Sequence, residues 1–323
     1  MSFIEFISEF TFRRTVVGTV IIGIAAGMLG CHLYLRKQSM LADVIGHSAV
    51  AGVMTAFLAA SALSVDGRSM LSIIIGSLAS GVLAVLLTNW VAQRSRVGDD
   101  AAMAVALALF FGGGMVLLNV IQMSTLPDKG GIDSLMFGNS ATLTAADNVT
   151  LAIISAAVVI IVAVCHRPMS MLLFDRSLAH VTMGARRTGA FSVLQTALIV
   201  VAVVLGIKAV GLILIIAFAV FPAAAARQWT RSLATMMPLA AVFGAAGGVL
   251  GTWASVSFGD LPTGPVIVLV LTVIVAVSLV VSPRRGFIAR GLRRRRSTAD
   301  AVAAANRAAA DAGAGVAGTE ATR

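Results

Sequence analysis

Asp43 and His47 stand four residues apart in ADVIGHSAVAGVMTAFLAASAL, a stretch otherwise apolar enough to lie in a bilayer. Helical residues at i and i+4 share a face, so this spacing brings a carboxylate oxygen and an imidazole nitrogen together. An ionisable group inside a membrane is costly and marks function by default. Two readings fit the pair. Either it offers a hard oxygen and a nitrogen to a divalent cation crossing the membrane, or acid and base neutralise each other and help the helix to pack.

The elements that must position this pair are membrane spans. Of the 323 residues 59% are hydrophobic and 12% charged, with a mean hydropathy of +0.98, beyond the range of a soluble domain. The fold class is all-α, a polytopic membrane protein. Apolar runs of about 17 to 25 residues cross a bilayer, and here they fall near 15–34, 40–64, 69–92, 101–121, 147–165, 191–206, 209–226, 233–257 and 264–282. That gives about nine transmembrane helices in one membrane domain, 15–287. The apolar run from Phe191 to Ala226 is too long for one crossing and is broken by Gly206, Lys208 and Gly211, which predicts two helices joined by a tight outer turn. Residues 1–14, with Phe3, Phe6, Ile7 and Phe10 on one side, read as an interfacial N-terminal helix and lack the order of a signal peptide. Residues 288–323, first basic and then Ala/Gly-rich, read as a disordered cytoplasmic tail.

A net charge of +10 does not mark a nucleic-acid binder here, because the arginines fall between and after the apolar runs and cluster at Arg284, Arg285, Arg290 and Arg293 to Arg296. That is the pattern of orientation signals and of contact with a lipid bilayer. Arg36 and Lys37, Arg94 and Arg96, Arg167 through Arg187, and the final cluster share one side, which predicts a cytoplasmic C-terminus. Cys31 and Cys165 are isolated packing residues. The sequence holds no G-x-x-x-x-G-K-[ST] loop, H-E-x-x-H, G-x-S-x-G or dinucleotide fingerprint, so the chain is expected to be no enzyme and to hold no permanent cofactor.

Between two spans, SMLLFDRSLAHVTMGARRTGAF is amphipathic. Leu173, Leu178, Val181 and Thr182 make one helical face, with Asp175 near its start where a carboxylate favours the helix dipole. It is either a connecting loop or a helix that docks into another protein, and His180 within it reads as a surface or capping residue.

From about Phe12 to Phe287 the chain resembles the metal-type ABC permeases that import manganese, zinc or iron. The resemblance rests on the order and spacing of LRKQSMLADVIGHSAVAG, DDAAMAVALALFFGGGMVLL, GGIDSLMFGNSATLTAAD, FDRSLAHVTMG, VGLILIIAFAVFPAAAARQWT, DLPTGPVIVL and VSPRRGFIAR. It implies an ABC importer permease fold in the plasma membrane of a prokaryote. The implied partners are a dimer of P-loop ATPase subunits that supplies ATP, a second permease subunit, identical or a sister chain, and an extracellular metal-binding protein. It places Asp43 and His47 on the translocation path, and Phe174, Asp175, Ala179 and Gly184 in the segment that couples to the ATPase. Ser177 departs from the family's FD-x-[DE]-x-A pattern, which removes the basis for one ion pair to the ATPase. GGIDSLMFGNSATLT with AAAARQWT looks most like the manganese and iron branch, so manganese is the expected cargo, with iron or zinc behind it. The outer loops 128–139 and 258–264 carry Asp128, Asp133 and Asp260, either docking residues for the binding protein or solvated turns. An ion-coupled secondary transporter, a zinc-specific ABC permease and a membrane-embedded structural subunit are the competing readings.

Overall fold

The computed structural model describes residues 10–36, 39–63, 67, 69–125, 130, 144–211, 215–258 and 261–282. The described chain is helical, without strands. In order come α1 (Phe10–Leu35), α2 (Ser39–Ala62), α3 (Met70–Arg94), α4 (Asp99–Met123), α5 (Ala145–Val164), α6 (His166–Phe174) and α7 (Arg176–Met183). They are followed by α8 (Ala185–Val210), α9 (Ile215–Trp229), α10 (Leu233–Ser257) and α11 (Thr263–Val281). Eight of these, all but α6, α7 and α9, are long and apolar enough to cross a membrane. At 1.5 Å per residue the 15 residues of α9 rise only about 22 Å, short of a hydrocarbon core of about 30 Å. Each of the nine apolar runs is thus a helix, eight of full span length and one short.

Local chemistry sets several of the ends. Thr144 and Asp147 form a reciprocal capping box at the start of α5, the Thr144 N–H donating to Asp147 Oδ2 at 3.0 Å and the Asp147 N–H to Thr144 Oγ1 at 3.1 Å. Ser69 and Ser232 accept from the backbone N–H three residues on and so start α3 and α10. Such caps satisfy donors that a helix leaves unpaired in its first turn. The break expected across Gly206 to Gly211 falls only at its far end. Helix α8 runs on through Gly206 and Lys208 and stops at Gly211, whose φ of +99° and ψ of 157° lie in a region open to glycine. A glycine inside a helix costs only about 1 kcal/mol relative to alanine, and Gly206 lies against the Ile215 side chain, where a Cβ has no room. Packing outweighs propensity at that position.

Two groups of helices make up the bundle. One gathers α1, α9, α10 and α11; the other gathers α2, α3 and α4; α8 touches both. Without a hydrophobic force between helices in lipid, close approach of small residues drives such packing. Helix α1 carries Gly23 and Gly27, and α10 carries Gly244 and Gly248, each pair four apart. A Cβ on Gly23 would lie 2.5 Å from the Gly244 carbonyl oxygen, and one on Gly27 would lie 2.6 Å from that of Ala240. Thr19 and Thr252 meet across the same seam, Oγ1 to Oγ1 at 3.4 Å. In the second group Gly52 of α2 meets Gly76 of α3, while Gly114 of α4 presses on the backbone at Ala51. Helix α2 is therefore clamped on two sides. The core between the groups is filled by Ile22, Leu29, Ile45, Met54, Ile199 and Phe218, all almost fully buried.

Candidate functional site

Clamping of α2 fixes where Asp43 and His47 stand. Asp43 Oδ1 lies 3.2 Å from His47 Nε2, so the i, i+4 pair forms as the spacing predicts. The His47 side chain is 18% exposed and that of Asp43 38%, which leaves the pair open on one side of the chain. Phe111 of α4 meets the imidazole edge-on, with ring centroids 4.8 Å apart and planes at 76°, a favoured aromatic geometry that orients the ring. His47 Nδ1 is buried with no hydrogen-bond partner among the described residues, and Nε2 is the nitrogen turned to the carboxylate. No third His, Cys, Asp or Glu joins the pair among the described residues.

The depth of the pair, which sequence leaves open, follows from the helix. Counted from Ser39 at 1.5 Å per residue, Asp43 lies about 6 Å and His47 about 12 Å along α2. The start of α2 shares one end of the bundle with the end of α1, the end of α3, the start of α4, and α6 and α7. Leu41, Arg36, Gln93, Asp99, Leu172 and Arg176 from these elements line a single cavity there of about 520 Å³. The pair thus sits one to two turns from the end that carries the amphipathic segment.

That segment is two short helices meeting at Asp175. Asp175 caps α7, accepting from the Leu178 N–H at 2.8 Å, which agrees with a carboxylate at the helix start. Gly184, with φ +81° and ψ 156°, ends α7 and begins α8, so α7 joins the span α8 through one residue. Ala179 is fully buried, and the Thr188 hydroxyl lies 3.1 Å from its carbonyl oxygen and 3.0 Å from that of Gly184. Phe174, Leu178 and Val181 are exposed, Val181 to 87%. Thr182 and His180 are exposed beside them, whereas Leu173 packs against the core and leaves the predicted face. Asp128, Asp133 and Asp260, expected on the outer face, lie outside the described residues.

Three features escaped the sequence reading. Arg36 and Arg176, far apart in sequence, line the same cavity. His32 is fully buried at the end of α1 beside Arg36 and His166. Gln195 on α8 is fully buried with neither amide atom partnered among the described residues. Arg36 and Arg176 belong to LRKQSMLADVIGHSAVAG and FDRSLAHVTMG, and His32 and Gln195 to no motif, so only proximity in space shows what they share.

A bundle of spans with an acid and a base on one span, and a short amphipathic pair at one end, defines a multi-span membrane protein. The fold matches that of PsaBC from Streptococcus pneumoniae, determined in complex with Fab, at a TM-score of 0.77, with 26% identity, 91% of this chain covered and 98% of that one. The model of the ABC 3 transport family matches residues 8–282, and the chain belongs to that family of ABC transporter permeases. The zinc transport system membrane protein TroC of Treponema pallidum is 35% identical over 289 residues, covering 90% of this chain and 95% of TroC. The manganese transport system membrane protein MntC of Bacillus subtilis is 33% identical over 292 residues, covering 89% of this chain and 65% of MntC.

Proposed function

We propose that this chain is the membrane-spanning subunit of an ATP-driven importer of a divalent transition metal, manganese first, and that Asp43 and His47 line the ion path. The observation that carries the reading is the half-open pair on α2. Two ligands about 2.1 Å from one ion and about 100° apart are about 3.2 Å from each other, the separation found between Asp43 Oδ1 and His47 Nε2. A carboxylate left partly exposed on a spanning helix does not face lipid, because the cost is too high. A second permease subunit, identical or a sister chain, would cover it and supply further ligands, with water filling the remaining positions.

The same geometry explains why such a site would hold its cargo loosely. A proton on Nε2 would have to leave before that nitrogen could ligate, so metal competes with a proton. If that proton moves to Nδ1, it enters a buried position without an acceptor, a cost of about 1–3 kcal/mol. Conduction needs binding weak enough to release.

Energy would come from a dimer of P-loop ATPase subunits. Phe174, Leu178 and Val181 offer an apolar knob for a cleft on such a partner, Asp175 holds the start of α7, and Ala179 and Gly184 fix α7 to α8 so that a push is transmitted to the span. An extracellular binding protein would deliver the metal to the outer loops, where Asp128, Asp133 and Asp260 are the proposed contacts, and the C-terminus would be cytoplasmic. An oxygen and a nitrogen ligand suit manganese, ferrous iron or zinc alike. Zinc is the second reading, because TroC is named for zinc and MntC for manganese. Uptake of isotopic manganese, zinc and iron into vesicles holding this chain with its cognate ATPase and binding protein tests the proposal. ATP-dependent manganese accumulation is the expected result; accumulation driven by a proton or sodium gradient without ATP would overturn it.

A further inference from the structure

A groove and a cavity run into each other on the face formed by α3 and α8. The groove, about 220 Å³, is lined by Val82, Leu86, Val193 and Ala197 together with the polar Asn89 and Thr196. The larger cavity at the end of the bundle shares Val85, Asn89, Ser192 and Thr196 with it and adds Arg36 and Arg176. One continuous depression therefore passes from apolar wall, through a short polar band, to two guanidinium groups. Val82, Leu86 and Val193 are exposed, Val193 to 70%, although all three belong to spanning helices. From Val82 to Asn89 the groove follows α3 for about 10 Å, roughly a third of the hydrocarbon thickness.

The charges at the mouth are not balanced from within. Burial, and after it the positive charge of Arg176, press the Arg36 guanidinium below the usual arginine range, yet an arginine stays charged in a protein. Neither guanidinium has an ion-pair partner among the described residues. Asp99, at the start of α4, is the carboxylate among the cavity's lining residues and makes no ion pair with either of them. Two like charges held around one polar cavity repel unless an anion joins them, and basic pockets between spanning helices at the membrane edge take lipid head groups. Thr196 donates its hydroxyl to the Ser192 carbonyl at 3.1 Å, which leaves its oxygen lone pairs, and the Asn89 amide, facing the level where a glycerol backbone would lie.

We propose that this depression binds one anionic phospholipid, its phosphate bridging Arg36 and Arg176 and an acyl chain lying in the α3–α8 groove. Charge complementarity and the order of apolar wall, polar band and cations select a lipid over a protein helix, which would present no phosphate to the two arginines. Because Arg176 is the first residue of α7, a bound phosphate draws α7 toward the end of α1 and steadies it. The lipid would then set the rest position of the coupling helix. This holds whichever metal is carried.

The test counts lipid on the purified full-length chain by native mass spectrometry after titration with phosphatidylglycerol or phosphatidylcholine in mixed micelles. Wild type is expected to prefer phosphatidylglycerol by about thirtyfold, the ratio for two arginines near a phosphate. Arg36→Gln with Arg176→Gln should abolish the preference, and Arg36→Lys with Arg176→Lys should keep most of it, which separates lost charge from lost fold. Ala197→Trp, filling the groove with both arginines in place, should lower retention of phosphatidylglycerol. Equal retention of both lipids by wild type, or a preference that survives the double glutamine variant, overturns the proposal. So does displacement of the lipid by inorganic phosphate at equal concentration, which would mark a free-anion site. Photocrosslinking of a benzophenone attached at Val193→Cys to a permease or ATPase partner would show the groove to be a protein interface and would also overturn it.

Discussion

A carboxylate and an imidazole 3.2 Å apart on a clamped helix differ from a surface ion pair in what covers them, and that difference decides their chemistry. Phe111 holds the ring, burial isolates Nδ1, and only the Asp43 side remains open. Asp43→Asn and His47→Gln keep size and polarity while removing a charge or a ligand. Each is expected to lower metal uptake by more than the roughly 10–100-fold typical for losing an outer-shell partner of a metal ligand, with the complex still assembled and still binding ATP. Wild-type uptake by both variants would reduce the pair to packing.

At the scale of the element, α7 is a short helix held from beneath. Ala179 is buried against α8, and Gly184 makes the corner with a backbone open to glycine. Its outer face, Leu178 and Val181, together with Phe174 at the end of α6, has no cover within the described chain. Leu178→Asp with Val181→Asp should therefore leave the fold intact while removing stimulation of the ATPase by loaded binding protein; unchanged stimulation would make the segment a plain connector. Gly184→Ala acts differently. A side chain in that region of backbone space costs about 1–3 kcal/mol, so thermal unfolding in detergent should begin at lower temperature and coupling should weaken with it. A melting curve identical to wild type would mean that the corner relaxes freely.

For the whole molecule, the α1–α10 seam joins residues more than two hundred positions apart through Gly23, Gly244 and the Thr19–Thr252 contact. Overpacking such a seam costs about 1–3 kcal/mol, so Gly23→Leu or Gly244→Leu should lower the melting temperature of the purified chain and, with it, the yield of assembled transporter. Wild-type stability in both would show that α1 and α10 are held together elsewhere. If Asp260 contacts the binding protein as proposed, Asp260→Lys should weaken its capture in a salt-dependent way with basal ATPase activity unchanged; equal affinity at low ionic strength would move the proposed docking surface toward Asp133.

What the sequence by itself determined is what depends on local pattern. Apolar runs of span length, the arginines between them, and the four-residue step from Asp43 to His47 predict a polytopic helical protein with an acid–base pair on one span, because hydropathy and helical period are properties of neighbouring residues. Asp175 reads as a helix start for the same reason. The end of α8 was less legible: Gly206 looked like a break, and only its contact with Ile215 from the next helix shows why the helix continues. Leu173 likewise belongs to the pattern of an exposed face until α6 turns it toward the core. The depth of the Asp43–His47 pair, the glycine contacts that clamp α2, and the meeting of Arg36 with Arg176 over one cavity were decided by tertiary structure alone. Each depends on which helices touch, and helix contacts in lipid are set by the fit of small residues across long separations in sequence rather than by any periodic signal along the chain.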